Sequence, residues 1–417
     1  MALERQPLGH CGFVLALENP LIDRRRLLDR HRNTRARSIV LSRLKETERC
    51  YASICSCLDV SLDGGRFLLS GGGDGSINIH GLTKDSRSVQ QTFPVLGKII
   101  PGSRFAHEYA VSACQFYPHD PGVFTTSGHD GKVKVFDTAK MMQVHQFAFN
   151  KPVADHSMSY LASARPLIAV ALGDNTVRIC DLRTVSSAHT FSGHNHPVNC
   201  VRWSRHSPSV LASGGVDGKI ILWDVRKARS LLGYLDNNNN PPTAATAATI
   251  NVAHHHAVIS LEFTEDAAHL VSYGADHKLR LWNIETGKNT GVNYGRIPFV
   301  FHDVRRRLQI ALTSRVRPDL IFVPSDDRVL VFDMFSGEKV ATLTGHFGQV
   351  LTCAYHPHFQ YVFTGSTDRN ILVWAPEADF ADYFEEQEEA KRRELEKSSQ
   401  RLAVARNLEA DTWSDED

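Results

Sequence analysis

The stretch GGVDGKIILWD, residues 214–224, decides the fold. A turn that bears Gly and Asp comes first, and an apolar strand pattern follows it and ends at Trp223. Tight turns favour Gly and Asp, and a half-buried strand favours apolar residues at period two, so the stretch predicts a β-hairpin.

The same pattern occurs seven times, and the seven turn aspartates follow one another at intervals of 42 to 59 residues. Repeats of about 40–45 residues that end in Trp-Asp predict four-stranded blades of a β-propeller. Seven copies predict seven blades. The other six copies are GGGDGSINIH (71–80), SGHDGKVKVFD (127–137), ALGDNTVRICD (171–181), YGADHKLRLWN (273–283), VPSDDRVLVFD (323–333) and GSTDRNILVW (365–374).

A second pattern fixes the register of four repeats. A His lies 22 or 23 residues before the turn Asp, at His107, His194, His254 and His346, and a Ser or Thr lies four before it. The chain thereby resembles the WD40-repeat family, in which such residues form a buried Asp–His–Ser/Thr–Trp hydrogen-bond chain. Three such tetrads are complete: His194–Ser213–Asp217–Trp223, His254–Ser272–Asp276–Trp282 and His346–Thr364–Asp368–Trp374. The second copy has Phe136 in place of Trp, and the first, third and sixth lack the His.

We therefore expect an all-β fold, a seven-bladed propeller over residues 38–376. A helical arm for partner docking precedes it at 1–37, and a charged tail that is helical or disordered follows at 377–417. The last repeat ends at its third strand with Trp374, so its fourth strand must come from elsewhere. Residues 38–42 (SIVLS) read as a strand, and we predict that they close the ring, because closure removes two open sheet edges.

The composition is that of a globular protein, with 417 residues, 42% hydrophobic residues and a formal net charge of +1. Neither a nucleic-acid nor a membrane partner is favoured by so balanced a charge, and no apolar run of transmembrane length occurs. Cys114 and Cys353 fall at equivalent places on apolar strands and are predicted to be buried free thiols, which suits a reducing compartment.

No catalytic, metal or cofactor site is expected. His, Ser and Asp in one line are reminiscent of a hydrolase triad, yet their recurrence in several repeats favours a structural role. The run His254–His255–His256 does not predict a metal site, because consecutive residues do not converge on one ion. We find no pocket of converging titratable groups outside the tetrads.

Candidate docking residues come from departures from the repeat. The W-D-x-R sequence at Trp223–Arg226 resembles that of WD40 receptors that dock on the adaptor of a cullin–RING ubiquitin ligase. Asp224 and Arg226, two apart on a strand, are predicted to point the same way and bracket a partner loop, with Asp181 and Arg183 as a weaker copy. The N-terminal arm adds a helix that can insert into a groove, with Arg24, Arg25, Leu27 and Leu28 as its candidates.

Whole segments, which include loops and the tail and not only the repeat pattern, resemble those of a narrower family, the WD40 substrate receptors of transcription-coupled DNA repair. They include ENPLIDRRR (18–26), CQFYPHDPGVFTTS (114–127), MFSGEKVATLTGH (334–346) and DTWSDED (411–417), whereas the Asn-rich insertion at 236–249, expected to be a mobile loop, has no counterpart. The resemblance implies a nuclear receptor, bound to the large damage-specific DNA-binding subunit of a cullin–RING ligase. It also implies contact with the Cockayne syndrome group B translocase at stalled RNA polymerase II.

Candidates for the substrate-binding face are Tyr117, His119, Asp120 and His129. Two other functions stay open. A direct nucleic-acid binder is favoured by the arginines between Arg24 and Arg49, and would show an affinity that falls steeply with salt. A WD40 scaffold without a ligase link would recover its partners equally well after Arg226→Ala.

Overall fold

The computed structural model describes residues 24–42, 44–49, 53–83, 91–160, 166–227, 230–239, 252–299, 307–316 and 319–379. These residues form one helix, α1 (Arg24–Arg37), and seven four-stranded antiparallel sheets, the blades of a propeller. The predicted all-β, seven-bladed fold is confirmed. The residues before 24, most of the Asn-rich insertion (240–249) and the tail after 379 lie outside the described part, so the expectations for these segments stay predictions.

In each of the first six blades, four neighbouring strands follow one another along the chain, except that β6 lies outside the sheet of blade one. Blade one contains β3 (Cys55–Val60), β4 (Phe67–Gly72), β5 (Ile77–Gly81) and β7 (Val95–Ile99). Blade two contains β8 (Val111–Phe116), β9 (Val123–Gly128), β10 (Lys132–Asp137) and β11 (Met142–Ala148). Blade three contains β12 (Val153–Met158), β13 (Leu167–Leu172), β14 (Thr176–Asp181) and β15 (Ser186–Ser192).

Blade four contains β16 (Val198–Trp203), β17 (Val210–Gly215), β18 (Ile220–Asp224) and β19 (Leu231–Leu235). Blade five contains β20 (Val258–Phe263), β21 (His269–Gly274), β22 (Leu279–Asn283) and β23 (Lys288–Asn289). Blade six contains β24 (Ala311–Leu312), β25 (Leu320–Ser325), β26 (Arg328–Asp333) and β27 (Lys339–Thr344). A separate parallel pair joins β2 (Lys45–Thr47) to β6 (Gln91–Phe93).

Blade seven closes the ring with a strand from the N-terminal side of the chain. Its strands are β28 (Val350–His356), β29 (Tyr361–Ser366), β30 (Ile371–Pro376) and, as the fourth, β1 (Ile39–Leu41). The β1 strand is antiparallel to β30, with Ile39 opposite Pro376 and Leu41 opposite Trp374. The prediction that the segment at 38–42 supplies the missing strand is confirmed.

The apolar core is divided into seven clusters, one between each pair of neighbouring blades. Blades four and five, for example, bury Leu235, Val258 and Trp282 in a shared cluster. Both faces of each sheet are therefore covered by neighbouring blades. This explains why the strands are apolar almost throughout and do not alternate strictly between apolar and polar residues. Cys114 and Cys353 are buried free thiols in this core, as predicted.

The Asp-Gly turns hold the second and third strands of a blade against the next blade. Gly218 has a φ of +73°, and a Cβ there would lie 2.2 Å from the backbone oxygen of His254. Glycine is thus needed both for the left-handed conformation and for the close approach of the neighbouring chain. Blades five and seven place His277 and Arg369 in the same left-handed region.

Helix α1 is fixed to the propeller by its last turn. Arg35 donates to Asp379 at 2.6 Å and to Gln360 at 3.0 Å, and Arg37 donates to Asp333 at 2.8 Å. The side-chain amide of Gln360 donates in turn to the backbone oxygen of Arg32 at 3.1 Å. The end of the helix is therefore held beside blades six and seven.

Two N-terminal truncations test the ring closure. Removing residues 1–42 deletes β1 and leaves blade seven without its fourth strand, whereas removing 1–37 deletes α1 and keeps β1. The strand contributes backbone hydrogen bonds worth about 1 kcal/mol each and the buried side chain of Ile39. We expect the longer truncation to lower the free energy of unfolding by about 3 kcal/mol beyond the shorter one. Equal denaturant midpoints for the two truncations would contradict this role of β1.

Candidate docking faces and central channel

The propeller has two faces, because successive turns of an antiparallel blade alternate between its two ends. The arm face is the face formed by two sets of turns: those that join the first strand of a blade to the second, and those that join the third strand to the fourth. It also carries α1, since Arg35 reaches the turn at Gln360 and Arg37 reaches the turn at Asp333. We call the turn face the opposite one, formed by the turns from second to third strands and by the connections between blades.

The tetrads lie beneath the turn face as continuous hydrogen-bond chains. In blade four, Trp223 Nε1 donates to Ser213 Oγ at 2.8 Å, and His194 lies 2.8 Å from that oxygen and 3.1 Å from Asp217. A neutral imidazole satisfies the whole chain, accepting from the hydroxyl at Nε2 and donating to the carboxylate from Nδ1. The same arrangement joins His254, Ser272, Asp276 and Trp282 in blade five, and His346, Thr364, Asp368 and Trp374 in blade seven.

Burial favours the neutral form of three histidines in these hydrogen-bond chains. It lowers the pKa of His107, His254 and His346, and the facing carboxylates only partly oppose this effect. Burial alone would raise the pKa of Asp276, but the hydrogen bonds from His254 and Arg280 outweigh it, so the pKa of Asp276 is lowered. A lowered histidine pKa means that the unfolded chain binds the proton more readily, so these contacts lose stability as the pH falls below about 6.5.

Blade two keeps three members of the tetrad and replaces the fourth. His107 lies 2.8 Å from Thr126 Oγ1 and 3.0 Å from Asp130, while Phe136 stacks on Phe124 with ring centroids 4.9 Å apart. The lost indole hydrogen bond is thus replaced by an aromatic contact.

The tetrads also fix the residues that the turn face displays. The backbone N–H that follows each tetrad histidine donates to the same aspartate, at 3.1 Å for Phe347 and 3.3 Å for Glu108. The Phe347 side chain is 98% exposed and that of Tyr109 is 63% exposed. Sequence reasoning missed this pair, although its signal is simple: each lies one or two residues after a tetrad histidine.

Asp224 and Arg226 do not form the predicted bracket. Asp224 ends β18 and is 2% exposed, whereas Arg226 lies in the turn that follows, not on the strand. The guanidinium donates to both oxygens of Asp224, from Nε at 3.2 Å and Nη2 at 3.1 Å. The buried carboxylate is therefore occupied by the chain's own arginine, which leaves the side chain of Arg226 73% exposed on the arm face.

The weaker copy in blade three follows the same rule. Asp181 is 8% exposed and accepts the backbone N–H of Arg183 at 2.8 Å, so it supports its own turn and leaves Arg183 exposed on the arm face. In the arm, Leu28 of α1 is 36% exposed. Arg24, Arg25 and Leu27 belong to the same helix, but their side chains lie outside the described part of the structure.

The four candidates for one substrate face lie on opposite faces, so that grouping is wrong. Tyr117, His119 and Asp120 belong to the turn from first to second strand of blade two, on the arm face. They support each other locally, with the Tyr117 and His119 rings 5.7 Å apart and Asp120 accepting the backbone N–H of Gly122. His129 belongs to the next turn, where it is exposed on the turn face.

The expectation that no pocket of titratable groups exists outside the tetrads is also wrong. Asp59, Gln115, Arg202 and Glu262 occupy the fifth position of their blades' first strands and line a central cavity. Asp155 and Arg307 join them. A polar residue at one position of an otherwise apolar strand, repeated in several blades, was the signal available in the sequence.

Within the described ranges, no group of three or more His, Cys, Asp or Glu side chains is placed to hold a metal ion. His254 belongs to its tetrad, and His255 and His256 are exposed. The described part of the chain has one α-helix, which is too short and too polar to cross a membrane.

Comparison with known proteins agrees with this geometry. The family model described as WD domain, G-beta repeat matches residues 101–137, 185–224, 248–283 and 337–375, the segments that end in the four repeats with a tetrad histidine. WD repeat-containing protein ATCSA-1 of Arabidopsis thaliana is 30% identical over 431 residues, covering 87% of this chain and 94% of that protein. The chain therefore belongs to the WD40 repeat family.

More distant relatives share only part of their length with it. B-type cell cycle switch protein ccs52A of Medicago truncatula is 26% identical, covering 59% of this chain and 46% of that protein. Radiation-sensitive protein 28 of Saccharomyces cerevisiae is 24% identical, covering 42% of this chain and 38% of that protein.

Replacing Ser213 by Ala tests the energetic weight of a tetrad. The change leaves the Trp223 N–H without its acceptor and His194 Nε2 without its donor, in a site where Ser213 is fully buried. An unsatisfied buried polar group costs about 1–3 kcal/mol, and we expect a loss of stability in that range by urea denaturation. Ser186→Ala, at an exposed position of the neighbouring blade, is the control and is expected to change stability by less than about 0.5 kcal/mol. Indistinguishable midpoints for the two variants would contradict the role of the tetrad.

Proposed function

We propose that this chain is the substrate-recognition subunit of a cullin–RING ubiquitin ligase in transcription-coupled repair, a counterpart of the Cockayne syndrome group A protein. The similarity to ATCSA-1, whose name carries that receptor's abbreviation, extends over 94% of the relative. WD40 propellers are typically non-catalytic scaffolds or receptors that bind other proteins, and this role suits the fold. The receptor would act in the nucleus by holding its substrate near the ligase's catalytic end.

The observation that carries the proposal is the distribution of exposed apolar side chains. Several lie on or beside the arm face, where α1 and the turn after Trp223 are also found. Exposed apolar side chains beside a face built from turns suit a surface that buries them against a partner protein. They are Leu28, Leu62, Met142, Val185, Leu231 and Phe335, which are 36–50% exposed.

Arg226 supplies the specific contact in this proposal. Asp224 holds the guanidinium in place through two hydrogen bonds, so docking costs less side-chain entropy than it would for a free arginine. The outer edge of a guanidinium paired in this way still offers donors to a partner's carbonyl or carboxylate groups. Residues of α1 that precede the anchored last turn would enter a groove of the adaptor, the large damage-specific DNA-binding subunit.

The turn face is then left for the other partners, the Cockayne syndrome group B translocase at stalled RNA polymerase II. Phe347 and Tyr109 are aromatic side chains on backbone that the tetrads hold in place. Rigid, exposed aromatic residues are the usual anchors of protein interfaces. Because the two faces are at opposite ends of the blades, adaptor and substrate can be bound at the same time.

The proposal is tested by affinity purification of the full chain beside three variants, with bound proteins identified by mass spectrometry. Arg226→Glu and a deletion of residues 1–33 are expected to lose most of the adaptor and cullin. The deletion keeps Arg35, Arg37 and β1, so the ring stays closed. Phe347→Ala is expected to keep the ligase and to lose the translocase.

Arg328→Glu is the matched control, because Arg328 is also exposed and also paired to a neighbouring aspartate, but on the turn face. It is expected to recover the ligase as wild type does. Circular dichroism of every variant is the check that each one is folded. Recovery of no adaptor by folded wild-type protein would refute the ligase proposal in favour of a WD40 scaffold. Salt-sensitive DNA binding that is unchanged in Arg226→Glu would favour a nucleic-acid binder.

A further inference from the structure

A polar cavity of about 110 Å³ lies in the central channel and opens toward the arm face. Its lining comes from the first strands of all seven blades and from the residues that flank these strands. The interior of a small propeller is normally filled by side chains, so a cavity lined by charged groups there needs an explanation.

Five charged side chains meet across this cavity in one chain of ion pairs. Asp155 accepts from Arg307 at 2.6 Å and from Arg202 at 2.8 Å. Glu262 accepts from Arg202 at 3.0 Å and from Arg205 at 3.0 Å. All five side chains are largely buried, from 0% exposed for Asp155 to 26% for Arg205.

Together these five side chains carry one more positive charge than negative charge, because three guanidinium groups share two carboxylates. Of the two other acids that line the cavity, Glu265 pairs with Arg315, and the half-buried Asp59 accepts a hydrogen bond from the Phe116 N–H at 2.7 Å. Burial and the nearby Glu262 raise the pKa of Asp59 to about 7, so at neutral pH it is neutral in a large share of molecules. A buried net charge is unfavourable unless a counter-charge is present.

Two of the arginines that line the cavity also carry a buried donor without an acceptor. The Nε atoms of Arg205 and Arg307 are buried without a hydrogen-bond partner among the residues that the structure describes. The Arg307 side chain is only 9% exposed, and both residues line the cavity. Buried donors of this kind are rare in folded proteins and frequently mark a site for a ligand or ion.

We propose that this cavity binds one small oxyanion, a phosphate or a carboxylate, between Arg205 and Arg307. The anion would balance the uncompensated positive charge and draw on guanidinium donors, which suit both kinds of oxyanion. The volume suits a single phosphate or acetate-sized group. Tyr160 limits the site on one side, since the Arg205 guanidinium lies 5.2 Å from its ring. Binding here is independent of the proposed ligase function.

The affinity for the anion is expected to depend on pH through Asp59. A carboxylate ligand keeps its charge near neutral pH and favours the protonated forms of Asp59 and Asp155, whose pKa values are both raised to about 7, so its affinity falls as the pH rises through about 7. Phosphate itself gains charge in this range, so acetate is the probe for this dependence. Burial holds the pKa of His156 at about 3, so that imidazole stays neutral across this range. The other charged and titratable groups in or beside the cavity lining include Asp155, Arg202, Arg205, Arg307, Glu262, Glu265, Tyr160, Tyr355 and Cys114.

The test is isothermal titration calorimetry of the full chain with inorganic phosphate and, separately, with acetate, against chloride at equal ionic strength. Arg307→Gln is expected to weaken binding about tenfold or more, because a charge-assisted contact is lost. Arg328→Gln is the control: Arg328 is exposed and pairs with Asp327 on the turn face, away from the cavity, so affinity should not change. Asp59→Asn is expected to bind acetate at least as tightly as wild type does and to lose part of the pH dependence of acetate binding.

The two probes distinguish the source of the anion. Binding of phosphate alone indicates a free phosphate ligand, and binding of acetate indicates a carboxylate, such as an acidic side chain of a partner. If wild-type protein binds neither probe more tightly than chloride, or if Asp59→Asn keeps the full pH dependence, the proposal is wrong. The Asp59→Asn result decides the matter even if Arg307→Gln does not fold.

Discussion

A four-stranded blade cannot be stable alone, because both faces of its sheet are apolar and its outer edges are unpaired. Each blade here covers the face of the next, and the seven clusters of core residues all lie between neighbours. Every sheet face is covered in this way only if the last blade packs against the first. The pairing of β1 with β30 meets this requirement, so the rest of the structure depends on one three-residue strand.

The tetrads also help to hold neighbouring blades together, and they do so through individual turns. Asp217 belongs to the turn between the second and third strands of blade four, and His194 lies in the connection from blade three. The hydrogen bond therefore ties one blade to the connection that leads into it. A rigid connection has a functional consequence: the residue after each histidine is held on the turn face, as Phe347 is by its N–H bond to Asp368.

The sequence was sufficient for those features that are local or that repeat. Turn aspartates at regular intervals predicted seven blades, and the missing fourth strand predicted the closure by residues 38–42. The predicted bracket at Asp224 and Arg226 failed because the carboxylate is satisfied within its own turn, and a buried carboxylate without a donor is costly. The grouping of His119 with His129 failed because one strand, β9, separates them and carries the chain to the opposite face.

The central channel was hardest to predict because its contacts depend on the closed ring. Asp155 and Arg307 are separated by 152 positions in the chain, yet their atoms lie 2.6 Å apart. No local pattern encodes such a pair; it forms only when the first strands of all blades surround one axis. The ring that the apolar clusters stabilise also brings charged side chains from several blades together at its centre, where partial burial strengthens their interactions. The two faces of the propeller and the charged cavity thus follow from the same closure of the ring.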